Sequence, residues 1–126
     1  HLRDPRAYAL PWPVPSTAAS EPAFRRRTGR LFLSYWRGST WIASNWLLHR
    51  GLAQHGYLED ARRLAQRTVE LVQRSGFREY FDPIDGSPSG ARGFGMSTLA
   101  VDLEHWLLER GRPAPAEGGE GVVASA

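Results

Sequence analysis

The stretch TWIASNWLLHRGLAQH, residues 40–55, decides the fold because its apolar side chains occupy almost every side of a helical wheel. A helix that is apolar all round is buried on all sides rather than along one stripe. Gly56 follows the stretch as a C-terminal stop. The pattern therefore predicts an interior helix, whose apolar residues are Trp41, Ile42, Ala43, Trp46, Leu47, Leu48 and Leu52.

Two further helices are predicted after this one, and each has a polar side. Residues 59–75 repeat apolar side chains at three- and four-residue spacing, while arginines, glutamines and glutamates fill the opposite side. Residues 96–110 alternate in the same way. The intervening residues 77–94 are dense in Gly, Pro, Ser and Asp, which favours an irregular loop between the second and third helices.

An interior helix followed by an amphipathic one is the layer pattern of a double-ringed helical barrel. Three helices cannot close such a ring, so the sequence predicts an all-α fold that is an incomplete segment of a barrel. The alternative is a helical-repeat module, because the chain loosely matches helix-pair repeats at Trp46, Leu48, Gly51, Gly56, Tyr57 and Ala61. Only one such pair is present, whereas stable arrays need about three.

Both ends of the chain lack helical periodicity. Prolines recur so often in residues 1–34 that amide donors are missing and φ is fixed, and we expect residues 1–39 to be mostly loop. Residues 111–126 are rich in Pro, Gly and Ala, and we expect a disordered tail. The predicted organisation is one domain over residues 1–110, followed by that tail.

The composition excludes several classes of protein. All 16 basic residues are arginine, but the net charge is only +3 and no broad basic stripe is present, which argues against nucleic-acid binding. An arginine-rich helical module that binds nucleic acid or protein is therefore less favoured than the functions that the motifs indicate. No run approaches the ~20 apolar residues of a membrane span. The absence of cysteine excludes disulfides and thiolate metal sites and fits a cytoplasmic protein.

Two segments combine aromatic and charged side chains without an obvious packing role. They are YWRGSTW at residues 35–41 and GFREYFDP at residues 76–83. Both lie at predicted helix ends that face the same side of a barrel. Indole rings stack on the C–H faces of sugars and charged groups bind their hydroxyls, so the pair of segments indicates a carbohydrate site.

These motifs, taken in order, closely resemble the C-terminal half of glycoside hydrolase family 63, which includes mannosylglycerate and glucosylglycerate hydrolases and mannosyl-oligosaccharide glucosidase. The resemblance extends from about Leu10 to about Leu108. It implies the C-terminal segment of an (α/α)6 barrel of the six-hairpin glycosidase type, which trehalases share. The motifs are PWPVPS at 11–16, EPAF at 21–24, YWRG at 35–38, Trp41, NWLL at 45–48, GL at 51–52, GY at 56–57 and GFREYFDP at 76–83.

The resemblance implies an inverting mechanism in which Glu79, in the Phe-x-Glu-Tyr motif, is the general base. The general acid of the family is an Asp that lies upstream of His1. In such chemistry the acid protonates the glycosidic oxygen and the base activates water, with the two carboxyl groups roughly 6.5–9.5 Å apart. From spacing alone, an exposed salt bridge of Glu79 with Arg78 or Arg92 is the favoured interpretation, and the motif reverses this preference toward the catalytic role.

The same resemblance assigns the sugar pocket. Tyr35, Trp36, Gly38 and Trp41 are expected to line it. Arg37 and Asn45 are expected to hydrogen-bond the ligand or to hold the loops of the pocket. A buried ion pair with a barrel carboxylate is an equally good interpretation of Arg37.

Three other features bear on the site. The segment DPIDG at residues 82–86 could suggest a calcium loop, but its spacing does not fit an EF-hand and turn chemistry is favoured. The histidines lack metal-ligand spacing, so no metal or cofactor is expected. Met96 stands where the family usually has a Trp, and this departure bears on the choice of sugar.

The expected function is therefore part of a hydrolase that cleaves α-glucosidic or α-mannosidic bonds, with a small glycoside or oligosaccharide as substrate. The chain would supply the base and part of the sugar pocket, and the remainder of the barrel would be its partner. We expect the isolated chain to be inactive, because the acid and most of the barrel are absent from it. The alternative is a non-catalytic carbohydrate-binding or helical interaction remnant.

Overall fold

The computed structural model describes residues 1–26 and 35–111 of the chain. Within these ranges the fold contains three α-helices, one antiparallel hairpin and one short 3-10 helix. In chain order they are α1 (Ile42–Gln54), α2 (Leu58–Ser75), β1 (Arg78–Phe81), β2 (Pro88–Arg92), a 3-10 helix (Gly95–Leu99) and α3 (Ala100–Gly111). None of the described helices is long and apolar enough to cross a membrane.

Helix α2 is the amphipathic helix that the sequence predicts. Its apolar stripe is buried against α1 and α3, and its arginines and glutamates lie on the opposite side. Leu71 packs with Ile42 of α1, Phe81 of β1 and Ala100 of α3 in one core cluster. A second cluster joins α2 to α3 through Ala65, Val69 and Leu103.

Helix α1 differs from the prediction, because it is not buried on all sides. Ile42, Asn45 and His49 are buried, but Leu47 is 63% exposed. Ser44, Leu47 and Arg50 form an exposed strip that none of the described residues covers, whereas α2, α3 and the N-terminal loop contact other parts of α1. The third helix also begins differently, because a 3-10 helix carries the chain from Gly95 to Leu99 before the α-helix starts.

The all-α prediction and the predicted irregular loop over residues 77–94 are wrong in one respect, because β1 and β2 pair there as an antiparallel hairpin. Tyr80 and Phe81 are aromatic residues of the kind that strands favour, and both are buried. The carboxylate of Asp82 builds the turn by accepting hydrogen bonds from the amides of Ile84, at 2.7 Å, and Asp85, at 3.2 Å. This is the turn chemistry expected of the segment.

The N-terminal segment over residues 1–26 contains neither a helix nor a regular strand. It is nevertheless held firmly against the helices. The amide of Trp12 donates to the carbonyl of Pro83 at 3.0 Å, and the hydroxyl of Thr40 donates to the carbonyl of Pro13 at 2.7 Å. Apart from Gly111, the predicted disordered tail lies outside the described residues.

His49 is a buried titratable group between α1 and α3. Its ring packs edge-on against Trp106, with the ring centroids 4.6 Å apart, and neither ring nitrogen has a hydrogen-bond partner among the described residues. Burial lowers the pKa of His49 from its ordinary value, against the opposing attraction of Asp102. The neutral imidazole is therefore the form that the fold accommodates.

We expect this histidine to make the protein acid-sensitive. Because the folded state holds the pKa of His49 below that of the unfolded chain, the unfolded state binds more protons as the pH falls below about 6.5. Stability is then full above this pH and declines below it. His49→Leu in the full-length product of the gene that contains this chain should narrow the difference in Tm between pH 7.5 and pH 5. The exposed His55→Leu is the control and should leave that difference unchanged.

Candidate active site

The two segments that the sequence singles out are joined directly in the fold. Thr40 and Phe81 form an isolated antiparallel bridge, in which each amide donates to the carbonyl of the other residue, at 2.8 and 2.9 Å. Thr40 immediately precedes the last residue of the first segment, Trp41, and Phe81 ends β1. The bridge therefore places the aromatic residues around Trp41 beside the side chains of β1.

These side chains form an aromatic cluster of Tyr35, Trp36, Trp41, Tyr80 and Phe94. Trp36 stacks on Trp41 with the ring centroids 4.0 Å apart and an angle of 7° between the planes. Trp41 is 2% exposed, whereas Trp36 is 54% exposed. Trp41 is therefore covered on the side of its neighbour, and Trp36 presents the accessible indole of the cluster.

Glu79 lies at the edge of this cluster, on β1. Its Oε1 accepts a hydrogen bond from the Tyr35 hydroxyl at 2.7 Å, and its Oε2 accepts one from the amide of Ala91 at 2.8 Å. The alternative salt bridge with Arg78 or Arg92 is not found among the described residues. Arg78 instead donates to the carbonyl of Gly90 at 3.1 Å.

Tyr35 is the donor in this contact at neutral pH. The hydrogen bond to Glu79 raises the pKa of Tyr35 above its ordinary value, and burial and the nearby carboxylate charge act in the same direction. The phenol therefore keeps its proton. A protonated phenol and a carboxylate form a charge-assisted hydrogen bond, which is stronger than one between neutral groups.

Gly38 and Arg37 lie where the first segment meets the N-terminal loop. Gly38 is buried with a φ of 152°, and an added Cβ would come within 2.9 Å of the Phe24 ring. Its backbone is thus used for close approach to the loop. Arg37 is exposed, and no ion pair joins it to a carboxylate within residues 1–26 and 35–111, so the expected buried ion pair is not found there.

Asn45 holds the N-terminal loop in the described structure. Its side chain is 1% exposed, and Oδ1 accepts a hydrogen bond from the amide of Val14 at 3.0 Å. Nδ2 donates to the carbonyls of Val14 and Trp41, both at 2.9 Å. Both amide protons and the oxygen of Asn45 are therefore engaged by backbone groups.

Asn45→Ala should destabilise the full-length protein by about 2–5 kcal/mol, because each buried polar group of Val14 that loses its partner costs roughly 1–3 kcal/mol. Urea denaturation measures this loss. Gln54→Ala, at an exposed position of the same helix, is the control and should change the free energy of unfolding by less than about 0.5 kcal/mol. An Asn45→Ala protein of normal stability but weakened substrate binding would instead indicate a ligand contact.

Two features of the site, the Ala91 amide and the bulge at Gly90, depend on strand pairing that the sequence does not display. The amide of Ala91 and the bulge at Gly90 reach Glu79 only because β2 pairs with β1. Tyr80 also belongs to the aromatic cluster. It lies in the segment GFREYFDP at residues 76–83, so the sequence could have placed it in the site. Met96 lies in the 3-10 helix and is 50% exposed.

A cleft elsewhere in the fold is lined by none of the predicted site residues. It is a cleft of about 340 Å³ between the N-terminal loop and helices α1 and α2, lined in part by Tyr8, Trp12, Leu48, Leu52 and Arg67. No group of three or more metal-ligating side chains of His, Cys, Asp or Glu is present in the described part of the chain.

Comparison with known proteins identifies the family. Residues 1–97 match the family model described as the mannosylglycerate hydrolase MGH1-like glycoside hydrolase domain. Mannosylglycerate hydrolase from Thermus thermophilus is 39% identical over 90 residues, which are 71% of this chain and 19% of that protein. Mannosylglycerate hydrolase MGH1 from Selaginella moellendorffii is 35% identical over 96 residues, which are 76% of this chain and 18% of that protein.

A solved structure gives the same relationship. The crystal structure of the family 63 mannosylglycerate hydrolase from Thermus thermophilus in complex with glucose matches with a TM-score of 0.64 and 35% identity, over 75% of this chain and 22% of that one. The chain thus spans about a fifth of the length of its relatives. Since the family model covers more than half of the chain, the chain belongs to the MGH1-like glycoside hydrolase domains of glycoside hydrolase family 63.

Proposed function

We propose that this chain forms the base-bearing part of the active site of an inverting glycoside hydrolase. The observation that supports this most is the position of Glu79, whose carboxylate lies beside an aromatic cluster with an accessible indole at Trp36. An indole face binds the C–H face of a sugar ring, and a neighbouring carboxylate can reach a water molecule at the anomeric carbon. Glu79 is proposed as the general base.

The proposed reaction displaces the leaving group in one step. Glu79 removes a proton from water as its oxygen attacks the anomeric carbon, and a carboxylic acid on the other face of the sugar protonates the departing glycosidic oxygen. This exchange needs only two carboxyl groups and water, so no cofactor is proposed. Because the chain spans about a fifth of its relatives, we propose that the acid comes from the rest of an (α/α)6 barrel.

The exposed apolar side chains of α1 and α3 support a covering partner. Leu47 is 63% exposed, Val101 is 56% exposed and Leu108 is 64% exposed. In an (α/α)6 barrel each interior helix contacts a neighbouring helix on both sides. The exposed Leu47 on α1 is therefore consistent with a contact to a further helix that the rest of the barrel would supply. The remainder of the barrel is therefore the proposed partner of these surfaces.

The proposed substrate is a small α-glucoside or α-mannoside, or a short oligosaccharide. The relatives are named mannosylglycerate hydrolases, and the Thermus thermophilus structure holds glucose. Mannosylglycerate and glucosylglycerate are therefore the first compounds to test. Tyr35, Trp36, Gly38 and Trp41 are proposed to form the wall of the sugar pocket, Arg37 is proposed to meet the ligand, and Asn45 to hold the loop beneath it. A cytoplasmic location remains a prediction.

The alternative is a non-catalytic carbohydrate-binding protein. The match covers only 19% of the Thermus thermophilus relative, and the described residues contain the predicted base without its acid. A site with one of its two carboxyl groups could bind a sugar without cleaving it. Incubating the full-length gene product with mannosylglycerate, glucosylglycerate and short α-linked oligosaccharides separates the two functions. Release of free hexose supports the hydrolase, whereas calorimetric binding without release supports the alternative. If the full-length product shows neither, both proposals are overturned.

A further inference from the structure

We propose that Tyr35 is a positioning residue for Glu79, acting on the carboxylate rather than serving only as a wall of the sugar pocket. This inference rests on the proposed role of Glu79 as the base. The Tyr35 hydroxyl donates to Oε1 and the Ala91 amide donates to Oε2, at 2.7 and 2.8 Å. Two donors on two different oxygens fix the plane of the carboxylate, and one lone pair of each oxygen remains for water.

The Tyr35 ring is itself fixed by its neighbours. It packs edge-on against Trp36, Trp41 and Tyr80, with centroid distances of 5.9, 4.7 and 5.2 Å and interplanar angles between 80° and 89°. Edge-to-face contacts of this kind favour one ring orientation. The hydroxyl is therefore held in place before any ligand arrives, as preorganised catalysis requires.

Strand β2 holds the opposite side of the carboxylate through its bulge. Two residues of β2, Gly90 and Ala91, face Glu79, and the register shifts between Arg78 and Tyr80. Gly90 has a φ of 71°, and an added Cβ would lie 2.7 Å from the Cβ of Glu79 and would collide with Oε2. The glycine thus leaves space for the Glu79 side chain to lie over the strand and turns the Ala91 amide toward it.

These contacts define what Tyr35 contributes. A carboxylate that rotates freely spends part of its time unable to receive the proton of the attacking water, and small misplacements of a reacting group can cost up to about 100-fold in rate. Removal of the hydroxyl should therefore lower kcat and leave KM nearly unchanged. Removal of a sugar contact should instead raise KM.

The first test is Tyr35→Phe in the full-length protein, assayed by hexose release from the substrate that the wild type cleaves. The variant keeps the ring contacts, so we expect an unchanged Tm, a KM within about twofold and a kcat lowered roughly 10- to 100-fold. Tyr57→Phe, at an exposed tyrosine outside the cluster, should change none of these values. A normal kcat, or a raised KM with normal kcat, overturns the inference.

A double-variant cycle separates this inference from the proposed function. If the hydroxyl acts through the carboxylate, Tyr35→Phe should lower kcat no further in a Glu79→Gln background. An undiminished additional loss overturns the positioning role while leaving Glu79 as the base. Full activity of Glu79→Gln alone overturns the proposed function as well.

A third test alters the surroundings of the Glu79 carboxylate from the side of β2 and leaves Tyr35 unchanged. Gly90→Ala crowds Glu79, whereas Gly93→Ala carries a similar backbone strain, with a φ of 61°, but has no atom within 4 Å of the added Cβ. Gly90→Ala should lower kcat at least tenfold more than Gly93→Ala. Equal kcat values for the two variants contradict the proposal that the orientation of the Glu79 carboxylate matters.

Discussion

Glu79→Gln is expected to lower the kcat of the full-length gene product roughly 10²–10⁴-fold, because the side chain can no longer accept a proton from the attacking water. The substitution is nearly isosteric, but the single amide oxygen of Gln can accept a hydrogen bond from either Tyr35 or the Ala91 amide and not from both. We therefore expect a modest loss of stability, of about 1–3 kcal/mol, and little change in KM, and the assay temperature should lie well below the Tm of the variant. The measurement is the initial rate of hexose release at saturating substrate.

The control for this prediction is Glu70→Gln on the outer side of α2, where the carboxylate pairs with Arg67 at 3.4 Å. It removes one negative charge far from the aromatic cluster, so its kcat should stay within about twofold of the parent. If Glu79→Gln retains activity within about tenfold of the parent, Glu79 is not the base. A role in binding the sugar would then replace the proposed role as base.

Phe81→Ala should destabilise the protein by about 3–5 kcal/mol, the usual cost of truncating a buried aromatic side chain. Phe81 is fully buried and packs in the cluster of Ile42, Leu71 and Ala100. Its backbone also forms the bridge to Thr40 that brings the two site segments together. A cavity at this position therefore weakens both the core and the support of the site.

Urea denaturation of the full-length protein measures this loss, and Gln66→Ala, on the solvent-exposed face of α2, is the control. The control should change the free energy of unfolding by less than about 0.5 kcal/mol. If Phe81→Ala costs less than about 1 kcal/mol, the residue does not occupy the packed position described. The hairpin would then not be anchored to the helices through this side chain.

Helix positions could be predicted from the sequence because each helix carries its own periodic pattern. The expected helix over residues 59–75 differs by one residue from the observed Leu58–Ser75. The hairpin could not be predicted in the same way, since residues 77–94 are too rich in turn formers to display a strand pattern. Their pairing depends on Phe81 entering a core formed by residues distant in the chain.

The candidate site was predictable as a set of residues but not as an arrangement. The motifs single out Tyr35, Trp36, Trp41 and Glu79, and the structure brings these side chains together. The contacts that orient Glu79 come from a tyrosine hydroxyl 44 residues away and from a backbone amide in β2. Neither contact has a sequence signal, because both depend on how the strands and the loop pack.

The stereochemistry of the product tests the central claim most directly. Proton NMR during the first minutes of hydrolysis records which anomer of the sugar forms first, before mutarotation mixes the two. A general base that activates water opposite the leaving group predicts that an α-glycoside yields the β-anomer first. If the α-anomer forms first, Glu79 is not the general base of an inverting reaction, and the account of this site is contradicted.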